Sequence, residues 1–390
     1  GGRASTLHLS LADKFARRFA ALQARGVETR CFALQFADGE RHVMGDGVPA
    51  FTVRVADPRG HHALDSFDEL SIAEAYMDCH LDIEGDMLAA LKFRCMLGDR
   101  RLIHYLWETY AQPYLFGQMA SDRQWIASHY DLDAGFFELW LDSEFRSYSH
   151  GIFRSADETL EVAMARKFQH AFDAVGLASG QRVLDIGGGW GSFLEFAGAR
   201  GVHVTSLTLS AVSERYMNDL LARRGLPGRV IREHFLAFEP GERFDAIVNF
   251  GVTEHLPDYP RTLARYRRML KPGRRVYLDS FTGTRHGMPS FITKWIFAGN
   301  PSALSLDRYL KALAATPFEL VDMHLERGDY FLTCAKWAEN LERARAQVVQ
   351  RWGEHLYRRF RLYLWGAASA FEARTLSAHH LVLELPADAT

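Results

Sequence analysis

The chain has 390 residues, of which 48% are hydrophobic and 24% charged, and its formal net charge is −2. This composition excludes a disordered chain, indicates a globular protein of two or three domains, and gives no global attraction to nucleic acid. The four cysteines form no CxxC pair, no histidine has zinc-ligand spacing, and no apolar run is long enough to span a bilayer. We therefore expect reduced thiols, no metal, and a cytoplasmic protein without a signal peptide that visits membranes only from the water side.

Residues 1–121 are predicted to form a smaller α+β domain. Residues 6–26 place apolar side chains at helical spacing with basic residues between them, which predicts an amphipathic helix that either faces the core or lies on a membrane surface. Short runs separated by glycine and proline turns then predict a small antiparallel sheet of three strands, at 31–36, 42–44 and 51–55. Residues 70–91 and 102–115 are predicted to be helical, and we place the domain boundary near Asp122.

Residues 122–390 alternate between strand and helix patterns, which predicts a doubly wound α/β sheet with its ligands beyond the carboxyl ends of the strands. The predicted strands of this sheet lie at 182–186, 202–207, 229–232, 244–249 and 275–280. An insertion at about 283–373 is expected to be largely helical, although it also contains a strand pattern at 318–326. A final strand is predicted at 380–385.

The segment RVLDIGGGWG at 182–191 predicts a buried strand that ends in a ligand-binding loop. Its glycines allow a tight turn and a close approach of the backbone to a ligand. The spacing is neither that of a dinucleotide fingerprint nor that of a phosphate loop. Asp185, directly before the glycines, suits a cationic or hydroxyl-rich ligand, and the loop resembles the first motif of S-adenosylmethionine (SAM) methyltransferases.

Three further strand ends carry polar residues on the same side of the predicted sheet. The second strand ends at Thr208-Leu209-Ser210, and the fourth ends near Glu254-His255. Glu254 is expected at the cofactor site, and the alternative is a cap for the helix that begins near Asp258. Asp279 emerges from an apolar fifth strand, where an acid is costly unless it is paired or used in the chemistry.

Matching motifs run in one order over roughly residues 65–385 and resemble those of the cyclopropane-fatty-acyl-phospholipid synthase family. They are His129-Tyr130-Asp131-Leu132, Tyr148-Ser149, the glycine loop, Thr208-Leu209-Ser210, Glu254-His255, Leu270-Lys271-Pro272-Gly273, Phe291-Ile292 with Lys294 and Ile296-Phe297, Asp329-Tyr330 with Trp337, and Tyr363-Leu364 with Phe371.

The resemblance implies a Rossmann-like class I SAM methyltransferase domain with a helical insertion, beside the smaller N-terminal domain. It implies alkylation of a double bond in an unsaturated fatty-acyl chain, often within a phospholipid, through a carbocation. SAM is the implied cofactor, and its implied contacts are Tyr148, Ser149, Asp185, Gly187, Gly188, Gly189, Gly191, Thr208, Leu209, Ser210, Ser213, Glu233 and His234. Aromatic faces stabilise a cation and exclude water, and the candidates for this role are Phe281, Phe291, Trp295, Phe297 and Tyr363.

The same resemblance places the proton-removing site at Glu254, Tyr330, His150 and Asp279. Relatives hold a bicarbonate ion there with a Cys-containing turn and a His after the fifth strand, where this chain has His150 and Asp279. One hypothesis is that bicarbonate binding is weakened or lost and Asp279 is itself the base, with His150 or Tyr330 as its partner. The other is that His150 supplies the missing imidazole and bicarbonate still binds. The departures at Ser213 and at Glu233-His234 would shift the contacts to SAM without removing the loop.

The expected partners are an unsaturated phospholipid or fatty-acyl substrate, the inner surface of a membrane to which the protein binds transiently, and a second copy of the chain in a homodimer. Two basic runs in the sequence bear on the membrane contact. The run at 261–275 is best explained as a solvated helix face. The run at 343–361, flanked by aromatic residues, favours membrane contact. The N-terminal domain is expected to present lipid or to mediate dimerisation. Alternative outcomes are a methyl-branched or methylene fatty acid without ring closure, as in routes to furan fatty acids, a small-molecule C- or N-methyltransferase, and a non-catalytic lipid-binding protein.

Overall fold

The structure is a computed structural model that describes residues 2–98, 132–283, 288–297 and 303–389. The predicted helix at 102–115, the boundary near Asp122 and the motif at 129–131 lie outside these residues. The chain divides into two compact units. The first comprises Gly1–Leu102, Pro289–Phe291 and Leu341–Ser369, and the second comprises Ile103–Met288, Ile292–Asn340 and Ala370–Thr390. This division differs from the expected linear one, because residues far along the chain belong to the first unit.

The first unit packs helices on a four-stranded sheet. Its elements up to residue 92 are α1 (Gly2–Ala24), β1 (Phe32–Phe36), β2 (Arg41–Met44), β3 (Phe51–Val55), α2 (Pro58–Ser66), α3 (Glu69–Met77), β4 (Leu81–Gly85) and α4 (Met87–Lys92). The predicted amphipathic helix is present as α1. Its apolar face is in the core, with Leu11, Phe15, Phe19 and Leu22 all buried.

Two predictions for this unit are wrong. The sheet is mixed, in the order β2-β1-β3-β4, because the chain reverses twice between β1 and β3 and the two strands therefore run parallel. Residues 70–91 are not continuously helical, since α3 ends at Met77 and Cys79 takes a left-handed φ of 66°. The chain then forms β4, which pairs antiparallel with β3 from Val55↔Leu81 onward.

Two arginines of the 343–361 run are used inside the first unit. They lie on α13 (Glu354–Glu372), which follows α12 (Arg345–Trp352). Arg358 is 7% exposed and donates to the carbonyl oxygens of Tyr76 and Leu81 at 3.1 and 3.0 Å. Arg361 donates to Glu342 and to the Tyr76 hydroxyl. The membrane interpretation of this run is therefore wrong for Arg358 and Arg361, whose charges are directed at protein atoms.

The second unit is built on a seven-stranded sheet. Its strands are β5 (Arg182–Ile186), β6 (His203–Thr208), β7 (Gly228–Arg232), β8 (Phe244–Phe250), β9 (Leu270–Gly283), β10 (Glu319–Leu325) and β11 (Leu376–Glu384). The order is β10-β11-β9-β8-β5-β6-β7, parallel except for β11, which is antiparallel to both of its neighbours. The predicted strands of the α/β domain are thus all present, and they form the expected doubly wound sheet.

Helices cover this sheet and connect its strands. They are α5 (Ala134–Glu138), α6 (Leu160–Ala174), α7 (Ser192–Gly198), α8 (Ala211–Arg224), α9 (Tyr259–Met269), α10 (Leu306–Ala314) and α11 (Arg327–Arg343), the last of which continues into the first unit. The described part of the insertion at 283–373 is largely helical, since it contains α10, α11, α12 and α13. It also contains a π-helical turn at Ile292–Ile296, and the strand pattern at 318–326 forms β10 at the edge of the sheet.

The strand β9 extends beyond the point where its parallel partner ends. Phe250, the last residue of β8, pairs with Asp279, whereas β9 continues along β11 as far as Gly283. Asp279 was expected at the end of its strand, but β9 continues for four more residues. Asp279 instead lies at the carboxyl edge of the parallel part of the sheet. Among the described residues, no helix has the length and apolar character that crossing a membrane requires.

We expect Arg358→Gln to lower the free energy of unfolding by about 2–4 kcal/mol, because it removes a buried cation from two backbone carbonyls and from Glu354. Urea titration followed by circular dichroism measures this change. Arg54→Gln is the matched control, since Arg54 forms a half-exposed ion pair with Glu84 in the same unit and its loss should cost about 0–1 kcal/mol. Equal effects of the two substitutions would contradict a structural role for Arg358.

Candidate active site

The glycine loop joins β5 to α7 at the carboxyl edge of the sheet. Gly187, Gly189 and Gly191 have φ values of 73, 55 and 80°, in the left-handed region where glycine is favoured. A Cβ at Gly187 would lie 2.3 Å from Val252, whereas one at Gly189 would have a backbone oxygen at 4.0 Å as its nearest neighbour among the described residues. Gly187 thus serves packing, and the described residues leave space beside Gly189. Gly188 is buried, and its N–H donates to Leu207 at 2.8 Å.

Asp185 lies beneath this loop and is 2% exposed. Burial raises its pKa to about 6, and the hydroxyl of Ser206 donates to its carboxylate at 2.7 Å. Asp185 therefore braces β5 against β6, and this contact accounts for part of its hydrogen-bonding capacity.

The polar turn after β6 is organised by hydrogen bonds within the chain. Ser210 caps the N-terminus of α8 by accepting from the N–H of Ser213 at 3.2 Å, and Thr208 accepts from the N–H of Ser210 at 3.1 Å. Leu209 is half-buried between them. Beyond β7, Glu233 is half-buried and His234 is buried, with its Nδ1 accepting from the N–H of Leu236. Both turns therefore lie at the carboxyl ends of adjacent parallel strands, as the sequence predicts.

Glu254 lies in a short 3-10 turn, Thr253–His255, that follows β8. It is 2% exposed, and burial, assisted by the nearby Asp279 carboxylate, raises its pKa to about 7. One carboxylate oxygen accepts from the N–H of Phe281 at 2.9 Å. The alternative role as a helix cap is wrong, since Asp258 caps α9 by accepting from the N–H of Arg261.

Asp279 faces a lysine that the sequence analysis did not single out. Lys167 is fully buried on α6, and its Nζ lies 3.5 Å from Asp279 Oδ2 while also donating to the hydroxyl of Ser149. Burial lowers the pKa of Lys167, and the Asp279 carboxylate opposes that fall. Asp279 Oδ1 has no hydrogen-bond partner among the described residues. The lysine thus bridges the Tyr148-Ser149 turn and the carboxylate of β9.

The turn that carries Tyr148, Ser149 and His150 is fixed at both ends. Asp142 accepts from the N–H groups of Phe145 and Ser147, each at 2.6 Å, and Gly151 donates to Thr333 on α11. The ring of Tyr148 packs in an aromatic cluster with Phe137, Trp140 and Trp337.

His150 is paired with a second buried carboxylate. Its Nε2 lies 2.5 Å from Glu326, which also accepts from His380 Nδ1 at 2.7 Å. Burial alone would raise the pKa of Glu326, but the two imidazoles hold it well below its ordinary value. The ring of Tyr330 stacks on His150 at 4.7 Å and on Phe371 at 4.4 Å. The structure therefore brings His150 and Tyr330 together, as the sequence predicts. The carboxylate bonded to His150, however, is that of Glu326 and not that of Asp279.

The predicted substrate aromatics are divided between the two units. Phe281, Trp295 and Phe297 lie half-buried in the second unit, where Phe297 is 6.3 Å from the His255 ring. Phe291 is buried and Tyr363 is half-buried, and both belong to the first unit. These side chains stay predictions as parts of a lipid site.

Sequence reasoning missed Lys167, Glu326 and His380. A signal for Lys167 was available, because it occupies the apolar stripe of α6 with Ala163, Met164 and Ala171, all of which are buried. Glu326 and His380 carry no such signal, since Glu326 is 176 positions from His150 and 54 positions from His380 along the chain.

Comparisons with known proteins agree with this geometry. The mycolic acid cyclopropane synthetase family matches residues 118–381, and a domain of unknown function matches residues 24–94. The chain belongs to the mycolic acid cyclopropane synthetase family. The expected family, the methyltransferase class and the Rossmann-like fold are thereby confirmed.

Relatives in the family include a probable fatty acid methyltransferase of Pseudomonas putida, 28% identical over 90% of this chain and 91% of the relative. The cyclopropane-fatty-acyl-phospholipid synthase of Escherichia coli K12 is also 28% identical, over 85% of this chain and 87% of its own. A crystal structure of mycolic acid cyclopropane synthase CmaA1 complexed with SAH and CTAB superposes with a TM-score of 0.62. It is 26% identical and covers 67% of this chain and 97% of CmaA1.

We expect Glu254→Gln to become progressively more stable than the wild type as the pH rises. The folded protein keeps the Glu254 proton up to about pH 7, whereas the unfolded chain releases it near 4.5, so wild-type stability falls across that window. A neutral glutamine has no such loss, and the gain should approach about 3 kcal/mol at pH 8 and vanish near pH 4. Urea unfolding at several pH values measures it, with the exposed Glu339→Gln as control. A pH-independent difference would rule out the raised pKa.

Proposed function

We propose that the protein transfers the methyl group of SAM to a double bond of an unsaturated fatty-acyl chain and closes a cyclopropane ring by removing a proton. The observation that carries this proposal is the meeting of the glycine loop, Glu254 and the Lys167–Asp279 pair at one edge of the sheet of a chain that belongs to the cyclopropane synthetase family. The family relatives named above support a lipid substrate.

The cofactor contacts would come from the loops after β5, β6 and β7. SAM supplies an electrophilic methyl group on a sulfonium centre when it is bound. Gly189 leaves room for a ligand to approach the backbone, and the hydroxyls of Thr208 and Ser210 lie at the end of the neighbouring strand. Glu233, which is half-buried and directly follows β7, is a further candidate for contact with the cofactor. Asp185 would act by holding the loop.

The acyl chain would be held where water is excluded. Attack of the π-bond on the sulfonium methyl forms a carbon–carbon bond, releases the thioether, and leaves a cation on the neighbouring chain carbon. The aromatic faces of Phe281, Trp295 and Phe297 would stabilise that cation, since a ring face attracts positive charge.

Asp279 is the proposed base that takes the proton from the transferred methyl group. Its unpartnered Oδ1 could accept a proton, while Lys167 balances the charge on the other oxygen. The raised pKa of Glu254, about 7, favours the protonated form of that neighbouring carboxyl below neutral pH. Lys167 thus replaces His150 and Tyr330 as the partner we propose for Asp279. Bicarbonate held by His150 is the competing arrangement.

A phospholipid at the inner membrane surface is the proposed form of the substrate, with the protein bound peripherally. The first unit is proposed to present lipid or to mediate homodimer formation. With Arg358 and Arg361 directed at protein atoms, attraction to anionic lipid would have to come from other basic residues. Vesicle sedimentation at low and high ionic strength would detect this attraction, because salt screens it.

We expect the protein, given SAM with a trideuterated methyl group and vesicles of monounsaturated phospholipid, to yield acyl chains that retain two deuterium atoms. The third leaves as the deuteron that the base abstracts when the ring closes, and mass spectrometry counts the label. Three retained atoms would mean that the proton leaves the chain and that a methyl-branched alkene forms. Asp279→Asn should slow product formation by about 10²–10⁴-fold. Strong reactivation of bicarbonate-stripped wild type by added bicarbonate would contradict Asp279 as the base.

We expect Lys167→Met to move the acidic limb of the pH–rate profile to higher pH by at least about one unit, because a buried carboxylate without its counter-charge holds its proton more firmly. Single-turnover product formation across pH measures the limb. Lys167→Arg keeps the charge and should stay within a few tenths of a unit of the wild type. An unshifted limb in folded Lys167→Met would mean that Lys167 has only a structural role.

A further inference from the structure

A group of three potential ligands lies on the sheet edge outside the proposed catalytic residues. His170 is on α6, Asp322 on β10 and His380 on β11, and all three belong to the second unit. Their ligand atoms lie within 4.8 Å of one another. Asp322 and His380 project from the same face of the β10–β11 pair, because His380 pairs with His324, two residues from Asp322.

The separations match those between ligands of one small cation. His170 Nε2 lies 3.4 Å from His380 Nε2, which lies 3.1 Å from Asp322 Oδ2. A tetrahedral ion held at roughly 2.0–2.1 Å from each ligand separates its ligands by about 3.4 Å. Two imidazoles and one carboxylate, with a fourth position left for water, form a donor set that zinc uses.

The orientation of His380 favours the same conclusion. Its Nδ1 is bonded at 2.7 Å to Glu326, which is 1% exposed, so its Nε2 is directed toward His170 and Asp322. Histidines that bind metals usually donate their other ring nitrogen to a carboxylate, which fixes the tautomer and the ring orientation. Glu326 has this relation to His380.

We propose that His170, Asp322 and His380 bind one divalent zinc ion that fastens the edge strand β10 and its neighbour β11 to α6. β10 is exposed along its whole length, and among the described strands it has β11 as its single hydrogen-bonded neighbour. A metal bridge to α6 would hold this edge strand in place, whereas the burial of its own side chains contributes little because all of them are exposed. Because Glu326 binds both His380 and His150, the same ion would also fix the position of His150.

The test is zinc binding by the full-length protein. Chelator-treated protein is dialysed against a small excess of Zn²⁺, and bound zinc is measured by mass spectrometry of the metal. We expect one zinc ion per chain in the wild type, and affinity at least about tenfold weaker in His170→Gln and in Asp322→Asn. His203→Gln, which changes an exposed histidine of β6, should bind zinc as the wild type does.

Substitution with Co²⁺ gives a second readout, since a tetrahedral site with nitrogen and oxygen ligands has visible absorption that the two ligand variants should lose. Asp322 is half-exposed at the side chain, so Asp322→Asn should fold even if His170→Gln does not. Equal zinc binding by the wild type and both ligand variants would assign the metal to surface histidines and overturn the proposal. Absence of zinc from the wild type would leave the three side chains as a hydrogen-bonded cluster and also overturn it.

Discussion

The pairing of β9 with two different partners determines the form of the candidate active site. As far as Asp279 it is the parallel neighbour of β8, and beyond that residue it continues along the antiparallel β11 and forms a parallel bridge from Thr282 to Leu304. Because β8 stops there, the chain can turn at Glu254 and place that carboxyl against the N–H of Phe281. The same pairing sets His380 opposite Asp279, so that one strand supplies the carboxylate and its neighbour the imidazole of the buried polar group.

Buried charge at this edge of the sheet is compensated in pairs. Lys167 lies against Asp279, and Glu326 lies between His150 and His380. A buried ion without a partner costs several kcal/mol, and such pairs restrict each side chain to a narrow range of positions. Removal of one partner would leave the other charge buried and uncompensated, which destabilises the fold.

The sequence allowed the sheet of the second unit to be predicted, because each strand is a short apolar run followed by a turn signal. It also placed Asp185, Thr208 and Glu254 correctly at strand ends. It could not reveal β4, since the helical pattern of 70–91 continues across Cys79, where the backbone turns left-handed. It also could not reveal Glu326 beside His150, because 176 positions separate them and their contact depends on the tertiary packing of the turn that carries His150, which Gly151 joins to Thr333 on α11.

Lys167 lies between these two cases, because the sequence is enough to predict its burial but not its partner. Sequence reasoning missed it, although helical spacing alone is enough to place its side chain on the buried stripe of α6, where a lysine requires a counter-ion. The identity of that counter-ion depends on packing between the helix and the sheet, which periodicity does not specify.

The division into two units also constrains how the protein can be made and dissected. The first unit includes Leu341–Ser369, and Arg358 and Arg361 supply hydrogen bonds to Tyr76, Leu81 and Ile83. During synthesis, the amino-terminal part must therefore wait for more than two hundred further residues before those bonds can form. A fragment that ends after α4 would lack these hydrogen bonds altogether. The smallest fragment that contains the whole first unit is therefore not a continuous segment of the chain.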